Sequence, residues 1–237
     1  MDAMFEVLKS CLTEENQILF LERGLTKRWI DINASDRKGM TLLMYAVLRN
    51  FPRLVHMLVN IPGLDINHVS VYGHTALTLA IYGENDDIII SLCKTPGIRA
   101  VNGMYHIESE YLMKMVIQGD YNMVEHLLMI SDLDINYLAF SEYTVLNLSC
   151  QLGDTRLVKR ILEFPGIDIN RTCAIGETAL IKAARINKHE IVKILLKDRN
   201  LKLDHKNNNG DTALGVAIAE GNREVARVIY LHNRMNG

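Results

Sequence analysis

Four aspartates recur in the tripeptide Asp-Ile-Asn, at Asp31, Asp65, Asp134 and Asp168, and they are the ionisable side chains that come nearest to a chemical pattern. Two carboxylates act as acid and base only when they converge on one substrate atom. Equal intervals instead set neighbouring copies about 10 Å apart if the chain stacks at helix-packing distances, which points to turn-stabilising side chains. Eight histidines are scattered as His56, His68, His74, His106, His126, His189, His205 and His232, and only His68 and His74 flank one loop. A zinc site needs three or four ligands at fixed geometry, and no cysteine or acid stands at suitable spacing from that pair. Cys11, Cys93, Cys150 and Cys173 show no CxxC spacing. They are expected to be free thiols in a reducing, cytoplasmic compartment. There is no GxSxG, no GxxxxGKS phosphate loop, no HExxH and no GxGxxG opening a helix. The residues therefore predict no catalytic, cofactor-binding or metal site, no small-molecule substrate and no enzyme.

What positions these residues is a repeat. Thr41, Thr75, Glu110, Thr144, Thr178 and Thr212 are spaced 34, 35, 34, 34 and 34 residues apart. A period of this length signals a solenoid whose units bury their apolar faces against neighbours. Glycine stands two before the threonine at Gly39, Gly73, Gly176 and Gly210, where a turn needs positive φ. Five after it stands a small residue (Ala46, Ala80, Ser149, Ala183, Ala217), with Met115 as the exception. Asparagine stands eight before it at Asn33, Asn67, Asn102, Asn136 and Asn170, with Asp204 in the last copy.

Each copy predicts two short helices, the first copy Thr41 to Leu48 and Pro52 to Val59, with Pro52 in a first turn that needs no amide donor. Helices this short are below the roughly 12 to 15 residues at which isolated helices are even marginal, so stacking must supply their stability. The stacked positions are Leu43, Leu77, Leu112, Leu146, Leu180 and Leu214 on first helices, and Leu58, Leu92, Leu127, Ile161, Leu195 and Ile229 on second helices. The third copy is irregular: Glu108, Glu110 and Met115 replace its glycine, threonine and small residue, so its helix start should be displaced. This is either drift between good neighbours or a break that shapes a partner site. Met1 to Trp29 lacks the signature but has helical spacing of apolar residues, with Thr13 as an N-cap. The expected organisation is one domain: capping helices over 1–30, five repeats over 31–209 and a capping repeat over 210–237.

The order of turn glycine, Thr-x-Leu, alanine, a second helix carrying Val-x-x-Leu-Leu and a closing Asp-Ile-Asn resembles the ankyrin repeat, over residues 31 to 231. The usual proline after the threonine is replaced by Leu42, Ala76, Tyr111, Val145, Ala179 and Ala213. The resemblance implies an all-α stack of helix-turn-helix units. It also implies hairpin loops that project like fingertips and, with the exposed side of the first helices, bind partner proteins.

On that strip the central loops are apolar and aromatic, with Val71, Tyr72, Met104, Tyr105, Ile107, Leu138, Phe140, Tyr143 and Ile175, while the outer loops ASDRKGM and HKNNNGD are polar. An apolar centre with a polar rim is interface anatomy. Tyr72, Tyr105, Ile107, Leu138, Phe140, Tyr143 and Ile175 are the candidate partner-binding residues, unless neighbouring fingertips pack on one another. The net charge of -2 hides seven acids against one lysine from Glu108 to Glu142, and twelve Lys or Arg against six acids from Arg156 to Lys206. Both runs suit solvated helix faces. Lys182, Arg185, Lys188, Lys193 and Lys197 lack interleaved aromatics, so nucleic-acid binding is not expected. No apolar run is long enough to span a bilayer, and Asp2 and Glu6 stand where a cleaved export signal carries basic charge. The function expected is a protein-interaction adaptor, scaffold or inhibitor, as a monomer or weak homodimer. Action on host proteins by a microbial or viral chain is one form of this. The alternative is the regulatory or targeting part of a larger enzyme or complex whose catalytic portion lies elsewhere.

Overall fold

The computed structural model describes residues 13–26, 31–100, 106–139 and 143–236. Among them there are helices and three isolated bridges, but no strand. In chain order the helices are α1 (Glu14–Thr26), α2 (Leu42–Leu48), α3 (Pro52–Val59), α4 (Ala76–Tyr82), α5 (Asp86–Cys93), α6 (Ile107–Gln118) and α7 (Tyr121–Leu127). They continue as α8 (Val145–Leu152), α9 (Thr155–Leu162), α10 (Ala179–Arg185), α11 (His189–Leu195), α12 (Ala213–Ala219) and α13 (Arg223–Asn236). Two compact units emerge, one of residues 1–111 with 120–133, the other of 112–119 with 134–237.

The threonine starts the first helix of each regular copy because its hydroxyl replaces the partner that the first turn lacks. Thr41, Thr75, Thr144, Thr178 and Thr212 all have extended backbone and accept from the amide three residues on. In the third copy Glu110 cannot act this way. There α6 begins at Ile107, upstream of the threonine position, so the displaced start expected from the sequence is present. The turn joining first to second helix uses positive φ at one repeat position throughout: Asn50, Glu84, Gly119, Gly153, Asn187 and Gly221.

In the first unit α2 packs on α3 and α4, and α5 on α3, α4 and α7. Leu43, Leu54, Leu58, Leu77, Ile88, Ile89 and Leu92 fill its core. At its start α1 lies on α3, with Leu21 buried and the Glu14 carboxylate accepting from Leu54 N–H at 2.8 Å. Asn16 N–H bonds Thr13 Oγ1 at 3.3 Å, in keeping with the expected cap, whereas the helix expected before it lies in 1–12, outside the described residues. In the second unit Leu146, Val158, Ile161, Leu180, Val192, Leu195 and Ile229 are buried, and Leu214 is only half-buried. The small residues Ala183 and Ala217 are wholly buried there, where α10 meets α12 closely.

Within each unit the repeated asparagine joins one copy to the next. Asn33 donates to Gly63 carbonyl at 2.8 Å and accepts from Asp65 N–H at 2.7 Å; Asn67 does the same with Gly97 and Arg99. Asn136 repeats it with Gly166 and Asp168, and Asn170 with Asn200 and Lys202. Asp31, Asp134 and Asp168 each accept from the amide of the asparagine two residues on, at 3.0 to 3.1 Å. The carboxylates thus close turns.

Candidate interaction surface

One turn builds the hairpin tips. In the second repeat Ser70 N–H donates to His74 carbonyl at 2.8 Å and Gly73 N–H to Ser70 carbonyl at 2.9 Å. Val71 and Tyr72 occupy the middle of this turn, where no backbone neighbour covers a side chain, and they are 73% and 63% exposed. Val71 N–H also bonds Lys38 carbonyl of the preceding hairpin at 3.0 Å. The backbone of the tip is held while its apolar side chains stay open. Leu48 and Tyr82 stand seven residues after their threonines, at the ends of α2 and α4, and are exposed as well. The Tyr82 ring meets His74 edge to face at 5.6 Å. Tip and first-helix ends of the first unit therefore both carry apolar groups.

The second unit uses the same turn at Cys173 to Glu177, with Ile175 at its tip, 52% exposed. Asn208 N–H of the next hairpin bonds Ile175 carbonyl at 3.2 Å and its side-chain amide donates to Ala174 carbonyl at 3.0 Å, so neighbouring tips do touch, while the Ile175 side chain stays open. Leu138 and Tyr143 are half-buried. Ile107 is half-buried too, and opens α6 instead of sitting in a loop. Tyr105, Phe140 and Met104 lie outside the described residues.

Tyr143 is covered by a charged group. Lys182 Nζ lies 5.0 Å from the Tyr143 ring centroid and 3.3 Å from its hydroxyl, a cation–π arrangement. The same ammonium is 3.4 Å from Glu177 Oε2, and Arg185 holds Glu177 Oε1 at 2.6 Å and Glu220 at 2.7 Å. Glu177 is wholly buried and Lys182 nearly so. Hydrogen bonding to Glu177, before any other cause, raises the pKa of the Arg185 guanidinium. Two residues that read as part of a solvated basic stretch are instead locked to carboxylates. An i, i+4 or i, i+3 partner within α10 would have been visible in the pattern, but Glu177 precedes that helix and Glu220 comes from the next repeat.

Among the described residues no group of three or more His, Cys, Asp or Glu side chains converges as a metal site would, and no helix is long and apolar enough to cross a membrane.

Capped helix pairs stacked through a repeated asparagine, with apolar tips on rigid turns, define a helical-repeat scaffold. The model of ankyrin repeats matches residues 10–102, 112–198 and 146–236, and the chain belongs to the ankyrin repeat family, whose repeats are protein-interaction modules. Among solved structures it is similar to EF0377, an ankyrin repeat protein, at 21% identity and TM-score 0.56, covering 85% of this chain and 98% of that one. It is similar also to the ankyrin repeat domain of Bcl-3, of the IkappaB protein family, at 21% identity and TM-score 0.55, covering 92% and 91%. No curated protein matches the chain.

Proposed function

We propose that the chain is a non-enzymatic protein-interaction module, an adaptor, scaffold or inhibitor, that binds its partner protein through hairpin tips and the exposed side of the first helices. The observation that carries this reading is the pair Val71 and Tyr72, apolar and largely open on a turn whose backbone is closed by its own hydrogen bonds and tied to the preceding hairpin. A rigid aromatic anchor loses little entropy on docking, and such anchors dominate interface energetics. Ile175 supports the same role for the second unit. Three buried free thiols, Cys93, Cys150 and Cys173, support placing the chain in a reducing compartment.

The test is affinity capture from a cytosolic lysate with the full chain and with a Val71→Asp, Tyr72→Asp variant. Both substitutions sit at exposed positions, so the variant should keep the wild-type helical circular dichroism and melting temperature. A protein retained by the wild type alone supports the reading. Equal retention by both chains overturns the role of this tip.

A further inference from the structure

The last helix, α13, has 14 residues where its counterpart one repeat earlier, α11, has seven. Leu195 and Ile229 hold the same repeat position and are both buried; α11 ends there, while α13 runs on to Asn236. The added turns carry Leu231 and Met235, four residues apart and hence on one face, with Val228 three residues before Leu231. Leu231 is 43% and Met235 75% exposed. These three side chains line an open groove of about 490 Å³ together with Leu196, Lys193 and Lys197 from the end of α11. A second depression shares Leu196, Lys197 and His232 and extends the groove past Asp198 and Arg199.

We propose that this groove docks an acidic, amphipathic peptide segment of a partner protein. Its apolar side chains would sit on Leu196, Leu231 and Met235, and its carboxylates would face Lys197 and Arg199. The groove's volume falls within the range of ligand sites, roughly 300 to 1,000 Å³. Its floor suits the i, i+3 or i+4 anchors of a helix laid in a groove, and the unbranched Met235 adapts to anchors of different shape. Charge selects the sign of the partner. Asp198 is the carboxylate in the lining, and its Oδ1 is engaged by the Asn200 amide at 2.8 Å, within its own turn. Lys193 is shared with Glu190 at 3.1 Å, which leaves Lys197 and Arg199 as the exposed cations that meet incoming charge. A basic segment would be repelled, and like charges facing each other across an interface cost affinity. The groove lies on second helices, so its occupancy does not depend on the hairpin tips.

The probe is a library of displayed linear peptides of about four helical turns, selected on the full chain. The recovered peptides are then titrated by fluorescence anisotropy. They should be enriched in Asp and Glu, with paired apolar residues three or four apart. They should bind the exposed-site variant Leu231→Glu about tenfold or more weakly, a difference of about 1.4 kcal/mol, and bind the Val71→Asp, Tyr72→Asp variant unchanged. Repeating the selection on Lys197→Glu, Arg199→Glu should recover basic peptides instead. Neutral or basic peptides on the wild type, or no effect of Leu231→Glu, overturn the proposal. A dimer broken by Leu231→Glu, or phosphatidylserine vesicles bound in place of any peptide, overturns it too, because the occupant is then a second copy or a lipid surface.

Discussion

Arg185 holds the wholly buried carboxylate of Glu177 at 2.6 Å while its other amino group reaches Glu220 of the following repeat at 2.7 Å. An isolated carboxylate in that position would be costly to keep charged. With Lys182 on its other oxygen, Glu177 connects three consecutive repeats of the second unit, from Tyr143 to Glu220.

Removing the acid should therefore cost more than removing its more exposed partner. Glu177→Ala strands Lys182 in the core and should destabilise by about 3 to 5 kcal/mol, whereas Arg185→Ala should cost less, because that guanidinium is part-exposed and water screens it. Urea midpoints of both, and of the double variant, test this. A double variant as unstable as the sum of the singles would show that the two residues are not coupled.

Gly176 and Gly210 hold equivalent turn positions with φ of +73° and +84°. A Cβ on Gly176 would lie 2.8 Å from the backbone nitrogen of Asn208, whereas one on Gly210 would meet nothing within 4 Å. Gly210→Ala should lose about 1 to 2 kcal/mol from the left-handed backbone alone, and Gly176→Ala distinctly more, as the next hairpin must move. Equal shifts in thermal midpoint would contradict the contact.

Asn170 bonds Asn200 carbonyl at 2.7 Å and Lys202 N–H at 2.8 Å, both near solvent. Asn170→Ala should cost about 1 to 2 kcal/mol, since water replaces part of each bond. Hydrogen exchange at the Lys202 amide should quicken more than at amides within α10. If protection at Lys202 is unchanged, this bond does not hold the loop.

Burial, with Glu108 adding to it, pushes the Cys93 thiol from 9.0 up to about 12, and burial raises Cys150 further. An acid whose folded pKa is raised stays protonated in the fold and ionises first in the unfolded chain. The stability it contributes is whole below pH 9 and is lost as pH rises from about 9 towards about 12, by about 1.4 kcal/mol per unit for one thiol. Urea midpoints at pH 8 and 10 should differ more for the wild type than for Cys93→Ala. Neither thiol should react with an aromatic disulfide at pH 8 before unfolding; fast native labelling would refute the burial.

Most of the fold was legible because it is local and repeated. A threonine that caps, a glycine that needs positive φ and leucines at fixed offsets each act within one unit or on its nearest copy. Five capping threonines and the displaced start of α6 thus appear where the pattern puts them. The surface was less legible. Tyr72 and Ile175 stand open at turn centres, while Tyr143, alike by sequence, is half-covered by Lys182. Leu48 and Tyr82, seven residues after their threonines, were not among the surface candidates read from the sequence and are exposed at the ends of their helices.

By itself the sequence determined the period, the helices, their caps and the apolar positions that stack, since each depends on backbone preferences and hydrophobic spacing within about one repeat. Only the tertiary structure decided that Glu177 is buried with Lys182 and Arg185, which tips stay open, and that the long last helix lines a groove. Those outcomes depend on groups of neighbouring repeats, some 30 to 40 residues apart, meeting in space around them. There, desolvation and pairing of charge are set by neighbours that the repeat pattern does not specify.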